Sequence, residues 1–151
     1  MLASFISHAT EPIELEADEV EFDIKKGRSI YRGHVVIEQG DLRLTGDVVE
    51  VFSESNNIKR IVAHAEPSTF RDRSGRDGQP VYAEALSIEY DVKSKRIQLL
   101  GRARVDSAQG SLRSHSIVYV PESGEVLADG GEDGRVHLIV DPDQAFPAAQ
   151  E

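Results

Sequence analysis

The segment Ala85-Leu86-Ser87-Ile88-Glu89-Tyr90 ends in an alternation of apolar and charged side chains that continues to Val92. It has three counterparts in the chain, at residues 17–22 (ADEVEF), 46–51 (GDVVEV) and 114–119 (SHSIVY). The central apolar residues, Val20, Val49, Ile88 and Ile117, are separated by 29, 39 and 29 residues. Alternation is typical of a strand with one buried face, and a repeated spacing indicates a repeated unit. The sequence therefore predicts two halves, about 13–66 and 80–140, each built from two hairpins.

The rest of the chain extends this β pattern. No stretch of 11 to 18 residues keeps the spacing of an amphipathic helix, whereas apolar and polar residues alternate repeatedly. Clusters of turn-forming residues separate the alternating runs, at 25–27, 39–41, 53–57, 71–80, 109–111, 122–124 and 129–134. The predicted fold is all-β, made of short antiparallel strands.

The 39-residue middle spacing contains an excursion, Glu66 to Pro80, rich in Arg, Asp, Gly and Pro. We interpret it as the loop between the halves. It is either a solvated linker or a lip whose arginines, Arg71, Arg73 and Arg76, contact an anionic head group.

Composition excludes several classes of protein. The 151 residues fit one domain, here predicted over 10–142, and the net charge of −10 argues against a nucleic-acid partner. Charged residues interrupt every apolar run after Thr10, so no membrane-spanning helix is predicted, and the absence of Cys excludes disulfides and thiol catalysis. Residues 1–9 are read as a leader or signal remnant, with a frayed terminus as the alternative. Residues 143–151 are predicted to be a flexible tail.

Signatures of catalysis or metal binding are missing from the sequence. No two of the five His lie two to four residues apart, and there is no nucleophile elbow, P-loop or glycine fingerprint. The segment 129–134 lacks the ligand ladder of a calcium loop, and the paired acids are those of solvated strand faces. We predict no enzyme activity, no cofactor and no metal site.

What remains is the apolar face of the strands. It either fills the interior, as in most small β proteins, or leaves a groove for acyl chains. The pattern does not choose between the two. The first strand and the last strand, which ends before Asp141-Pro142, carry no internal Pro, so both edges are free to accept a partner strand. The residues predicted at these edges are Ile13, Leu15, Val136, Leu138 and Val140.

Several motifs occur together in a familiar order. They are PIELEAD at 12–18, YRGHVVIEQG at 31–40, LRLTGD at 42–47, EPSTF at 66–70, AEALSIEYD at 83–91 and GRVHLIV at 134–140. In this order and spacing the chain resembles the OstA-like (LptA) family of periplasmic lipopolysaccharide-transport proteins, from about Pro12 to Pro142.

The resemblance implies an open, twisted β-jelly roll of repeated antiparallel hairpins, whose interior carries the acyl chains of lipopolysaccharide (LPS). It also implies a soluble periplasmic bridge of copies stacked head to tail. The bridge would connect an inner-membrane anchored jelly-roll partner with the jelly-roll domain of the outer-membrane translocon. The alternatives are the soluble part of that anchored partner, or a β-scaffold that only docks proteins by its edges.

Family lipid contacts are carried over best onto Ile13, Leu15, Phe70, Tyr90 and Val92. With the apolar pattern, the full set of candidate lipid-binding residues is Ile13, Leu15, Val20, Phe22, Ile37, Leu44, Val49, Phe70, Ile88, Tyr90, Val92, Leu99, Ile117 and Tyr119.

Overall fold

The computed structural model describes residues 11–73, 78–120, 122–132 and 134–143. In these ranges the chain forms ten strands joined in one sheet. The strands are β1 (Glu14–Glu16), β2 (Glu19–Asp23), β3 (Arg28–Gln39), β4 (Leu42–Glu54), β5 (Asn57–Asp72), β6 (Val81–Asp91), β7 (Ile97–Ser107), β8 (Gly110–Val120), β9 (Glu125–Asp129) and β10 (His137–Val140). Nothing in the described part of the chain forms a helix that could cross a membrane.

The sheet is open, antiparallel and follows chain order. β3 to β8 pair consecutively, β1 and β2 both lie beside β3, and β9 and β10 both lie beside β8. The ten strands thus occupy eight positions, and each edge position holds two short strands. The prediction of an all-β, open jelly roll is confirmed.

The expectation of short strands is wrong for the centre of the sheet, where β3 to β8 have 11 to 16 residues. Each register shifts at one common level, for example between Arg32 and Val35 in β3 and between Leu100 and Ala103 in β7. At this level Gly33 and Gly101 adopt φ of 81° and 83°, and each is followed by a residue with φ near 48°. Such bulges bend strands instead of ending them. We call this line of irregularities the crease.

The crease divides the sheet into two limbs. The first limb contains β1, β10 and the halves of β3 to β8 beside them, and the second limb contains β2, β9 and the other halves. One interior row of the first limb is Leu15, Ile37, Leu44, Phe70, Ala83, Val105, Leu112 and Leu138. The corresponding row of the second limb is Val20, Tyr31, Val49, Ala63, Ile88, Leu99, Ile117 and Ala128.

The predicted repeat is visible in the second row. All four central residues of the repeated segments lie in it, and Ile88 and Ile117 follow Val20 and Val49 by the same 68 residues (88 minus 20, 117 minus 49). Small side chains lie along the crease: Gly46, Ser68, Ala85, Ala103 and Ser114. They let the limbs approach closely, and the buried apolar residues of both limbs form one core.

The predicted loop from Glu66 to Pro80 is wrong over its first half. Residues 66–72 belong to β5, and Phe70, expected at the start of the loop, is 1% exposed in the core. Pro67 is tolerated because it falls at the crease, between His64 and Ser68, where the register with β6 is interrupted.

Candidate functional site

The interior face is sealed in the middle of the sheet and open at its edges. Eight candidate lipid-binding residues are buried in the core: Ile37, Leu44, Val49, Phe70, Ile88, Tyr90, Leu99 and Ile117. Four more are half-buried against it: Ile13, Leu15, Val92 and Tyr119. Val20 and Phe22 are exposed, at 48% and 66%. The two alternatives were a filled interior and a groove. Each describes part of the molecule, since the centre of the interior face is filled and its edges are not.

Val20 and Phe22 lie on the interior face but are exposed because β2 is an edge strand. Val20 pairs with Tyr31, and Phe22 with Ser29, in rows that lead across the sheet to the buried Ile88 and Tyr90. The interior face therefore reaches the N-terminal edge without a break.

A groove of about 530 Å³ lies at this edge, where the turn between β2 and β3 faces the turn after β4. Phe22 and the 91%-exposed Ile24 form one side, and Tyr31, Val51 and Ile58 continue it toward the core. The rings of Phe22 and Tyr31 meet edge to face, with centroids 6.4 Å apart. The groove therefore leads from a partly polar rim, which includes Asp23, toward the apolar interior.

Three cations border the same groove: Lys25, Lys26 and Arg28. The Arg28 guanidinium pairs with the Glu50 carboxylate at 2.5 Å, whereas neither lysine makes an ion pair within the described residues. A groove with apolar residues on its inner side and two free ammonium groups besides Asp23 at its rim suits an amphiphile with a negative head. From the sequence, 25–27 is predicted only as a turn. The available signal was the position of two lysines directly after Ile24.

The arginines proposed for head-group contact are not at this groove. Arg71 lies on the outer face, paired with Arg43 on one side and Tyr82 on the other. Arg73 is exposed just after β5, and Arg76 lies outside the described residues. Their contact with a head group stays a prediction.

The C-terminal edge exposes a second set of apolar residues. Leu138 and Val140 of β10 lie on the interior face, at 48% and 39%, and Val136 precedes them at 45%. In β9, Val126 lies on the interior face at 43%. Neither this edge nor the N-terminal edge has a second strand partner in the described chain. The predicted edge residues Ile13, Leu15, Val136, Leu138 and Val140 thus all lie at the two edges.

Polar groups inside the sheet are few. Asp72 is 7% exposed on the interior side near Tyr90, and burial, followed by the charges of Asp72 and Asp91, raises the pKa of the Tyr90 hydroxyl. Among the described residues no group of three or more His, Cys, Asp or Glu could hold a metal ion. The predicted leader, 1–9, lies outside the described residues, as does the predicted tail beyond residue 143.

Comparison with known proteins agrees with this architecture. Residues 14–125 match the family described as LptA/(LptD N-terminal domain) LPS transport protein. The lipopolysaccharide export system protein LptH of Pseudomonas aeruginosa is 31% identical over 120 residues, covering 79% of this chain and 69% of the relative. LptA of Escherichia coli K12 is 23% identical over 136 residues, covering 89% of this chain and 73% of the relative.

The structural comparison gives the same family. The crystal structure of LptH, described as the LptA-homologous periplasmic component of the conserved lipopolysaccharide transport device of Pseudomonas aeruginosa, superposes with a TM-score of 0.80 at 27% identity. It covers 87% of this chain and 96% of that one. The sheet, the repeat and these matches agree, and this chain belongs to the LptA/LptD N-terminal-domain family of LPS transport proteins.

Proposed function

We propose that this chain binds LPS by its acyl chains and passes it across the periplasm, without catalysis. The observation that carries the proposal is the interior face, which is largely apolar, with Ser68, Asp72 and Ser114 as its buried polar residues, and which leaves the protein at both edges. Val20 and Phe22 expose it at one edge, and Val126 and Leu138 at the other.

Entry of acyl chains requires the two limbs to part, because the middle rows are packed against each other. Parting exposes apolar side chains, but acyl chains cover them again, and each buried Å² of apolar surface contributes about 25 cal/mol. The exchange replaces protein–protein contact by protein–lipid contact of similar strength. Loading therefore need not disturb the hydrogen bonds between strands.

The head group stays outside the sheet. The net charge of −10 repels phosphates on average. Lys25, Lys26 and Arg28 at the rim of the N-terminal groove form a local exception. Their charges lie at the polar boundary of the groove, where phosphates of a lipid with buried acyl chains would be located.

Both edges support assembly into a bridge. With eight strand positions in an antiparallel sheet, the first and last positions run in opposite directions. A second copy in the same orientation therefore extends the sheet by antiparallel pairing. By the same pairing, one end would accept a same-fold partner anchored in the inner membrane, and the other the jelly-roll domain of the outer-membrane translocon.

A photo-crosslinking amino acid at Val20 tests lipid binding, and Leu100 is its matched control. Their exposures are 48% and 44%, but Val20 lies on the interior face and Leu100 on the outer face. Protein purified from membranes should give an LPS adduct at Val20 and none at Leu100.

Equal labelling at both positions would show adsorption to the surface. No adduct at Val20, with the fold intact by circular dichroism, would rule out the lipid function and leave a scaffold that docks proteins by its edges.

A further inference from the structure

The two limbs present different charges at the two edges of the sheet. We infer that copies of this chain join through the first limb alone, β10 of one copy on β1 of the next. The strands β9 and β2 of the second limb stay apart. The inference rests on the end-to-end assembly proposed above, and it specifies how the joint is made.

In the first limb the charges are complementary. The outward residues of β1 are Glu14 and Glu16, and neither makes an ion pair in the described chain. On the other edge, Arg113 of β8 lies beside His137 of β10, and the exposed Arg135 lies two residues before His137. Arg113 also borders a depression of about 310 Å³ on the outer face, which three arginines and one acid line: Arg102, Arg104, Arg113 and Glu84.

If a second copy continues the rows, its Glu16 lies next to His137, one strand from Arg113. Strands are about 4.8 Å apart, so an arginine and a glutamate two strands apart are within reach of each other. Opposite charges on one sheet face stabilise pairing.

In the second limb the two edge strands carry like charges, and the arginines beside β2 are already paired within the copy, Arg32 with Glu21 and Arg28 with Glu50. The outward residues of β2 are Glu19, Glu21 and Asp23, and those of β9 are Glu125, Leu127 and Asp129. Any register that keeps the interior face inside places these acids beside each other, because side chains alternate with a period of two. Like charges directly opposite destabilise a strand pair.

Inside the sheet, one pair of neighbouring strands corresponds to the second-limb edges β9 and β2. By the internal repeat, β5 corresponds to β9 and β6 to β2, and β5 and β6 are paired on both sides of the crease. There Arg60 lies opposite Asp91 and within 3.6 Å of Glu89, and His64 lies opposite Ser87. At the places corresponding to Arg60 and His64, β9 has Glu125 and Asp129. The cation that supports the internal pairing is replaced by a carboxylate at the edge.

Cysteine pairs test the joint directly, because the natural chain has no Cys. One variant carries Leu15→Cys and Leu138→Cys, which lie in one interior row of the first limb. The matched variant carries Phe22→Cys and Val126→Cys, in one interior row of the second limb. Neither variant changes a charge.

Under mild oxidation the first variant should form a ladder of disulfide-linked oligomers, and the second at least tenfold less dimer at the same concentration. Adding Glu125→Lys and Asp129→Lys to the second variant should restore the ladder. In the first variant, Glu14→Lys with Glu16→Lys should reduce the ladder about tenfold, and adding Arg113→Glu with Arg135→Glu should restore it.

Equal crosslinking in both limbs would overturn the inference, as would the absence of a ladder from the first. The Val20 photo-crosslink in the same preparations separates this from the proposed function. An intact LPS adduct with equal ladders removes only the single-limb joint, whereas a first-limb ladder without an adduct removes only the lipid function.

Discussion

The centre and the edges of the interior face differ in side-chain exposure although the same types of apolar residue line both. Val49 and Val20 belong to the same row, yet one is fully buried and the other 48% exposed. Phe70 and Phe22, both on this face, are 1% and 66% exposed. Exposure is set by how many strands flank a residue. The difference teaches that the centre serves stability and that the edges hold the apolar surface available to a ligand or a second copy.

The largest contrast should appear in stability. Phe70→Ala removes a buried ring from the core and should cost about 3–5 kcal/mol of unfolding free energy. Phe22→Ala should cost less than about 1 kcal/mol, since its ring is mostly in water. Urea denaturation of both variants measures the difference. Similar losses would mean that the edge is as well packed as the centre.

In lipid binding, unlike in stability, we expect a large effect from a substitution at the edge. Phe22→Asp places a carboxylate at the proposed entrance for acyl chains and should reduce LPS binding at least tenfold, since burying an unpaired charge costs more than about 1.4 kcal/mol. Leu127→Asp is the control, because Leu127 is 72% exposed on the outer face. Titration with fluorescent LPS measures both. Equal effects at the two positions would show that net charge, not the interior face, controls capture.

Substitution of two glycines, one in the crease and one in a peripheral turn, compares how tightly the two places are packed. Gly101 has φ of 83°, and a Cβ there would lie 3.0 Å from Leu86 Cδ1, whereas Gly124 has φ of 74° with nothing within 4 Å. A positive φ alone costs an L-residue about 1–2 kcal/mol. We expect Gly124→Ala to cost about 1 kcal/mol and Gly101→Ala about 2 kcal/mol by urea denaturation. An equal cost would mean that Leu86 moves aside freely.

The smallest effect should be a pH dependence at the N-terminal edge. A hydrogen bond of 2.8 Å to Asp18, followed by the charge of that carboxylate, raises the pKa of His34. The protonated ring therefore stabilises the fold fully below pH 6.5, and this contribution is lost as pH rises through the raised folded value. Amide exchange of β2 measured at pH 5.5 and pH 8.5 should be slower at the lower pH relative to β6.

The control for this prediction is His34→Gln, which should remove the difference between the two pH values. Asp18→Asn should do the same, because it removes the partner. A pH dependence that persists in both variants would assign it to other groups.

Much of the second-limb row was predictable from the sequence. The spacing of Val20, Val49, Ile88 and Ile117 placed four residues in one row, because a repeated hairpin returns equivalent residues to equivalent positions. The turns at 25–27, 39–41 and 109–111 were predicted for the same reason, from local residue chemistry.

The bends and the edges were not predictable from the same pattern. Pro67 lies in the excursion that the composition predicts to be a loop, whereas pairing with both neighbours continues the strand on either side of it. Nothing in the alternation marks Gly33 and Gly101 as the positions of bulges. The exposure of Phe22 depends on the absence of a strand beyond β2, which no local pattern encodes. The cations at the N-terminal groove were missed because their role depends on Tyr31, Val51 and Ile58, which are distant in sequence.

The crease has a mechanical consequence. Every strand from β3 to β8 passes through it without interruption, and each is hydrogen-bonded to its neighbours on both sides of the bend. A change of angle in one strand is therefore transmitted to the next. The small side chains along the crease offer little steric resistance. Widening at one edge would therefore be coupled to the opposite edge, and in the transport function proposed above this would link the binding of a lipid at one edge to its release at the other.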